Sequence, residues 1–225
     1  MPLSNLAGPR GISYWTTGDS APDLTHRDAP WGADANAPRG WVFARQALSY
    51  WLGMGAQTSI AQLDVNPTTG IVGEALVAAV DRAYRGGETK DPTKLLPFIR
   101  QGRKLIIYHG TSDPALSPYR SIEFYHALTA RLRSLDKTQA SVRLFLVPGM
   151  QHCSGGVGPD VFDTLSAIEA WVEQGKPPTS IAASTKSDSP APHSLPLCPY
   201  PQQARYQGNG ALTDAANWHC AAHPG

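Results

Sequence analysis

Two short apolar runs separated by one helical stretch constrain this chain more than any other feature of it. Leu105-Ile106-Ile107-Tyr108 is long enough for a buried strand and too short for a helix. It stops at His109-Gly110-Thr111-Ser112-Asp113-Pro114, a turn-rich group that sets Asp113 just beyond the strand's carboxyl end. The following stretch carries Ile122, Phe124, Tyr125, Leu128 and Leu132 at spacings that gather on one broad helical face. A second run, Val142-Arg143-Leu144-Phe145-Leu146-Val147, ends at Pro148-Gly149, with His152 in the loop behind it. In open α/β sheets, ligands and chemistry gather beyond the carboxyl ends of the strands. An Asp and a His leaving two consecutive parallel strands are therefore expected within hydrogen-bond reach of one another.

The order strand, acid, helix, strand, histidine matches the second half of a Ser, Asp, His triad on an α/β framework. In such a triad the histidine takes the proton from the serine hydroxyl. The buried carboxylate fixes the imidazole tautomer and stabilises the imidazolium that forms. Each residue alone has a plainer reading, Asp113 as a turn residue before Pro114 and His152 as a loop histidine. Together, in this order and behind two strands, they favour the triad.

The segments LIIYHGTSDPALSP, RLFLVPGMQHCSGGVGPDVFD and LCPYPQQARYQGNGALTDAANWHC resemble the C-terminal part of the tannase and feruloyl esterase family. The resemblance runs from about Asp91 to Cys220 and is most specific at Pro148-Gly149-Met150-Gln151-His152-Cys153 with Gly155-Gly156. It implies the C-terminal portion of an α/β-hydrolase fold, a parallel sheet with flanking helices, lacking the N-terminal strands and the nucleophile elbow. It implies Asp113 as triad acid, His152 as triad base, and Cys198 with Cys220 as a disulfide of the tail. The family joins the cysteine after the histidine, here Cys153, to a cysteine directly before the nucleophilic serine, so Cys153 is expected unpaired. Arg45 is the nearest match to an arginine that holds the substrate's free carboxylate in a related hydrolase, although a solvated helix arginine is the plainer reading.

The family's Gly-Cys-Ser-x-Gly-Gly elbow has no counterpart here, and no G-x-S-x-G occurs anywhere in the chain. Ser154 lies two residues after its own would-be base, with no helix start behind it to form an oxyanion hole, and is not expected to act. Ser20, in Thr17-Gly18-Asp19-Ser20, reads better as part of a turn.

The remaining residues bound the alternatives. A chain of 225 residues can be one large domain, yet with 21 Gly and 20 Pro it offers only two convincing core strands. Two such strands cannot bury both faces unaided. A net charge of +1 with scattered Lys and Arg gives no reason to expect nucleic acid or an anionic membrane as partner. No apolar stretch approaches the roughly 20 residues that cross a bilayer. Met1-Pro2-Leu3-Ser4-Asn5 lacks the marks of a secretory signal. The odd cysteine count favours a secreted or periplasmic parent protein in which this Met is internal. No cofactor is expected, and no metal, since Asp34-Ala35-Asn36 is too little for a calcium loop.

Three regions are expected. Residues 1–90 are the end of a lid-like insertion and the return to the core, loop-rich with helices at 42–54 and 71–84. In the first of these Phe43, Ala47, Tyr50 and Trp51 share one side. Residues 91–176 are the half-core with acid and base, closing with a helix over 163–173 whose apolar stripe is Leu165, Ile168 and Val172. Residues 177–225 are a Pro-rich tail that wraps the surface. Two functions stay open: a serine carboxylic-ester hydrolase acting on small esters of aromatic acids (gallate, ferulate or terephthalate type), or a non-catalytic fragment or subunit. The second needs another polypeptide, such as the missing N-terminal segment, as partner.

Overall fold

The computed structural model describes residues 47–55, 74, 78–79, 82, 91–113 and 116–222. The chain divides into two compact units, one taking in Asp91–Gly225 and the other Asp23–Lys90. In the second, Ala47–Trp51 forms a single widened π-helical turn. Leu48 is buried there, while Tyr50 is 76% exposed. Glu74, Ala78, Ala79 and Arg82 are helical. Arg45, Ser20 and Asp34–Asn36 lie outside the described residues.

The first unit is built on a parallel pair, β1 (Leu105–Gly110) and β2 (Val142–Val147), in register from Leu105 opposite Val142 to Gly110 opposite Val147. β1 thus continues two residues past its apolar run, and His109 and Gly110 belong to the strand rather than the turn. Ahead of it, Asp91 accepts the Thr93 N–H and opens the turn Pro92–Leu95 and helix α1 (Leu96–Arg100). The crossover consists of α2 (Pro118–Leu132) and the short α3 (Leu135–Gln139), whose first turn is capped by the Ser134 hydroxyl.

Strand residues alternate between two faces, and both faces are covered. Val142 and Leu144 pack with Tyr125 and Leu128 of α2, and Leu105, Ile107, Leu146, Ile122 and Leu132 close around them. Burial pushes the Tyr125 phenol up to about 12. On the opposite face Phe145, Val147 and Met150 pack with Ile181, Ala183 and Leu197. Those last three come from β4 (Ile181–Ser184) and β5 (Ser194–Leu197), which with β3 (Val161–Phe162) form an antiparallel sheet of order β3-β4-β5. The segment after Pro178 therefore supplies half of one core layer instead of only wrapping the surface. Continuous apolar runs such as Leu144–Val147 are what a strand covered on both sides requires.

Helix α4 (Thr164–Glu173) starts at Asp163, whose carboxylate accepts the Ser166 N–H and hydroxyl and is held below the usual carboxylate range by them. Its buried residue is Trp171. The Lys104 ammonium stands 5.5 Å and the Arg143 guanidinium 5.4 Å from the indole centroid. Leu165 and Val172 are 65% and 61% exposed, which corrects the expected stripe. A large aromatic with two cations on its ring holds the helix better than two aliphatic side chains on the neighbouring face.

The tail then closes the outer side of β2, where the Tyr200 N–H donates to the Leu144 carbonyl at 2.7 Å and Phe145 bridges to Pro199. A final hairpin, β6 (Gln203–Tyr206) and β7 (Trp218–Ala221), brings Cys220 to Cys198 with a Cα–Cα distance of 5.4 Å, and the two are disulfide-bonded. The bridged residues lie 22 apart in sequence. A closed loop of that length restrains the unfolded chain by about 3 kcal/mol. Reduction and alkylation, or the double change to serine, should lower the unfolding free energy in urea by about that much. An unchanged midpoint would remove the bridge from the account of stability.

Candidate active site

Two loops leave the carboxyl ends of β1 and β2, and backbone groups stitch them together. The Thr111 N–H donates to the Val147 carbonyl at 2.9 Å and the Ser112 N–H to the Met150 carbonyl at 3.0 Å. In return, the Gly149 N–H donates to the Thr111 hydroxyl at 3.0 Å. Contact this close needs a residue without a side chain. A Cβ on Gly110 would collide with the carbonyl oxygens of Met150 and Gln151.

The histidine loop is itself a tight reversal. Met150 bridges to Gly156, the Gln151 N–H donates to Gly155 O at 3.0 Å, and Gly158 N–H to Gly149 O at 3.2 Å. Asp160 anchors it from behind, its carboxylate accepting the Gly155 N–H at 2.7 Å with Lys186 Nζ 3.5 Å away. His152 projects from the tip of this reversal. Cys153 beside it is an exposed free thiol at φ +66°, a left-handed conformation uncommon outside glycine.

These loops bring Asp113 and His152 together. His152 Nδ1 lies 2.7 Å from Asp113 Oδ2. The carboxylate side chain is 3% exposed and the imidazole 50%. Asp113 Oδ1 accepts the Leu116 N–H at 2.9 Å. A carboxylate only accepts, so the proton of a neutral His152 sits on Nδ1 and leaves the Nε2 lone pair free as a base. Among the described residues no serine hydroxyl lies within hydrogen-bond reach of that ring. Ser154 meets His152 only through its backbone N–H, which donates to His152 O at 2.9 Å. No group of three or more His, Cys, Asp or Glu suited to a metal ion occurs among the described residues.

A third member of the site was not singled out from the sequence. His109, from β1, places Nε2 3.2 Å from Asp113 Oδ2 and makes its hydrogen bond with the Leu116 carbonyl at 3.0 Å. Only its spacing, four residues before the acid and across a turn, hinted at it. Arg45 lies outside the described residues, and Cys198 and Cys220 are joined to each other in the tail.

Comparison with known proteins bears on this arrangement. The family model for tannase and feruloyl esterase matches residues 74–221. The mono(2-hydroxyethyl) terephthalate hydrolase of Piscinibacter sakaiensis is 46% identical over 137 residues, 59% of this chain and 22% of that protein. A probable feruloyl esterase of Arthroderma benhamiae is 35% identical over 141 residues, 60% of this chain and 25% of its own length. The chain thus spans about a quarter of these curated relatives. Among solved structures, an esterase from Aspergillus oryzae matches with a TM-score of 0.65 at 23% identity, over 80% of this chain and 37% of that one. Tannin acyl hydrolase from Aspergillus niger matches with a TM-score of 0.62 at 20% identity, over 87% and 35%. The fold is accordingly a portion of an α/β-hydrolase.

Proposed function

The chain belongs to the tannase and feruloyl esterase family, and from that membership we propose that it carries the acid and the base of a Ser-His-Asp carboxylic-ester hydrolase. Asp113 is the acid and His152 the base, and the sequence offers no recognisable elbow for the serine. The observation that supports the reading is the 2.7 Å contact from His152 Nδ1 to the buried Asp113 carboxylate, which leaves Nε2 open for a hydroxyl. In the reaction that hydroxyl gives its proton to Nε2 as its oxygen attacks the ester carbonyl. Backbone amides hold the oxyanion, the alcohol leaves with the proton from His152, and a water activated in the same way releases the acid. The substrates are esters of aromatic acids of the gallate, ferulate or terephthalate type, in keeping with what the relatives are named for. Arg45 is the candidate to hold a free carboxylate on such a substrate. A disulfide between Cys198 and Cys220 fits an oxidising compartment, so the parent protein is secreted or periplasmic.

A second reading, a fragment or subunit with no catalysis of its own, is favoured by the lack of a serine within reach of His152 among the described residues. The two predict the same for the chain alone. Hydrolysis of a p-nitrophenyl ester and of an aromatic methyl ester should be weak and equal in the chain and in His152→Ala. Robust turnover lost in His152→Ala would put the nucleophile within this chain, with Ser112, Ser117 and Ser154 the first to mutate. Robust turnover that survives the substitution would place the chemistry elsewhere and sink the acid–base assignment.

A further inference from the structure

His109 is held from three directions by groups whose hydrogen-bonding options are narrow. Its Nε2 lies 3.0 Å from the Leu116 carbonyl oxygen and 3.2 Å from Asp113 Oδ2. The hydrogen bond is to the Leu116 carbonyl, which cannot donate, so Nε2 must carry the proton. Its Nδ1 lies 2.8 Å from the Ser121 hydroxyl in the first turns of α2, which donates to it when the ring is neutral. The side chain is 13% exposed. His109 also stands on β1, a strand paired along its whole length with β2, whereas Asp113 and His152 stand on loops. The best-fixed side chain of the three is the one that the acid–base assignment leaves without a role.

We infer that His109 is a positioning residue: its Nε2–H holds the Leu116 carbonyl, and the Leu116 amide in turn holds the Asp113 carboxylate in the orientation that receives His152 Nδ1–H. The inference rests on the acid–base reading given above. Oδ2 accepts from His152 and Oδ1 from the Leu116 amide, so the carboxylate cannot rotate about its Cβ–Cγ bond without losing a donor. Leu116 contributes twice, its N–H to Asp113 and its carbonyl to His109, so the same loop residue ties acid and histidine together. Among the described residues, the titratable groups within ion-pair distance of Asp113 are His109 from the strand and His152 from the opposite loop. Removing the His109 donor releases the Leu116 carbonyl, and the loosened Leu116 amide leaves a more basic and less oriented carboxylate, so His152 binds its own proton more tightly.

The test is a set of long-range ¹H–¹⁵N spectra of the full chain labelled at histidine, with resonances assigned by substitution. In the unsubstituted chain His109 should carry its proton on Nε2 and neutral His152 on Nδ1. A bare Nε2 on His109 overturns the inference, and this measurement needs no variant to fold. His109→Phe keeps the ring volume and removes the donor. It should raise the proton affinity of His152 by about three- to tenfold, roughly half to one unit in its titration midpoint. His109→Gln, which returns an N–H at similar reach, should restore the midpoint. An unshifted His152 in the Phe variant reduces His109 to packing and overturns the inference. Asp113→Asn is the reference. If His152 does not respond there, the acid–base pair itself fails. If it responds there but not to His109→Phe, only the role of His109 fails.

Discussion

Combined with a separately expressed elbow-bearing N-terminal portion of a relative, the chain should gain ester hydrolysis that depends on His152. The expectation follows from what this chain holds and lacks. Asp113 and His152 are already in contact, and the imidazole is half exposed on the side away from the carboxylate. A serine and two amide donors brought to that side complete the set. His152→Ala in the combined enzyme should then lower kcat by about 10⁴-fold or more, because triad members act as a unit. The residual activity would reflect binding and the oxyanion donors alone. Asp113→Asn should cost a comparable factor, since an amide can present its NH₂ to Nδ1 and stabilise the wrong tautomer. Turnover of an aromatic ester on mixing, measured with and without His152, is the assay. Activity that appears but survives both substitutions would refute the assignment of acid and base.

Replacing Gly110 with alanine should separate the two loops. The added Cβ meets carbonyl oxygens of Met150 and Gln151, which are backbone and cannot swing aside as a side chain would. Either the end of β1 or the histidine loop must move, and the movement breaks the Ser112–Met150 and Thr111–Val147 hydrogen bonds. Overpacking in a core costs about 1–3 kcal/mol, and a clash with fixed backbone belongs at or above the upper end. The unfolding free energy should fall by about 3 kcal/mol, and the His152 signature of the paired imidazole should vanish with it. Gly102 is the instructive comparison. It has φ +72° and open space around it, so its glycine answers to conformation, not to room. Gly102→Asn, a residue that tolerates the left-handed region, should be nearly neutral. Equal losses at both positions would refute the steric account of Gly110.

Much of this rim was legible because its elements are short and strongly patterned. The run Leu105–Tyr108 and the run Val142–Val147 could only be buried strands, and residues directly behind two parallel neighbours must lie side by side. His109 was not legible as part of the site, because the apolar run ended before it and it read as turn. Its role depends on β1 continuing through Gly110, which pairing with Val147 decides and local propensity does not. Trp171 was missed for a related reason. Leu165, Ile168 and Val172 form as good a stripe on paper as the true one, and the choice falls to Lys104 and Arg143, which the sheet brings over the indole. The strands of the tail escaped notice because each spans only four residues, and Ile181, Ala183 and Leu197 become core only through Phe145 and Val147.

The capping of β2 by the tail gives the parallel pair a direction of growth. Its outer backbone is engaged by Tyr200 and Pro199, and the Cys198–Cys220 bridge fastens that segment in place. Among the described residues β1 has β2 as its one strand neighbour, so a further strand can join only alongside Leu105–Gly110. A parallel strand docked there would end at the rim that Asp113 and His152 occupy. Whatever followed it would be delivered to that rim by backbone pairing alone, before any side chain had been read.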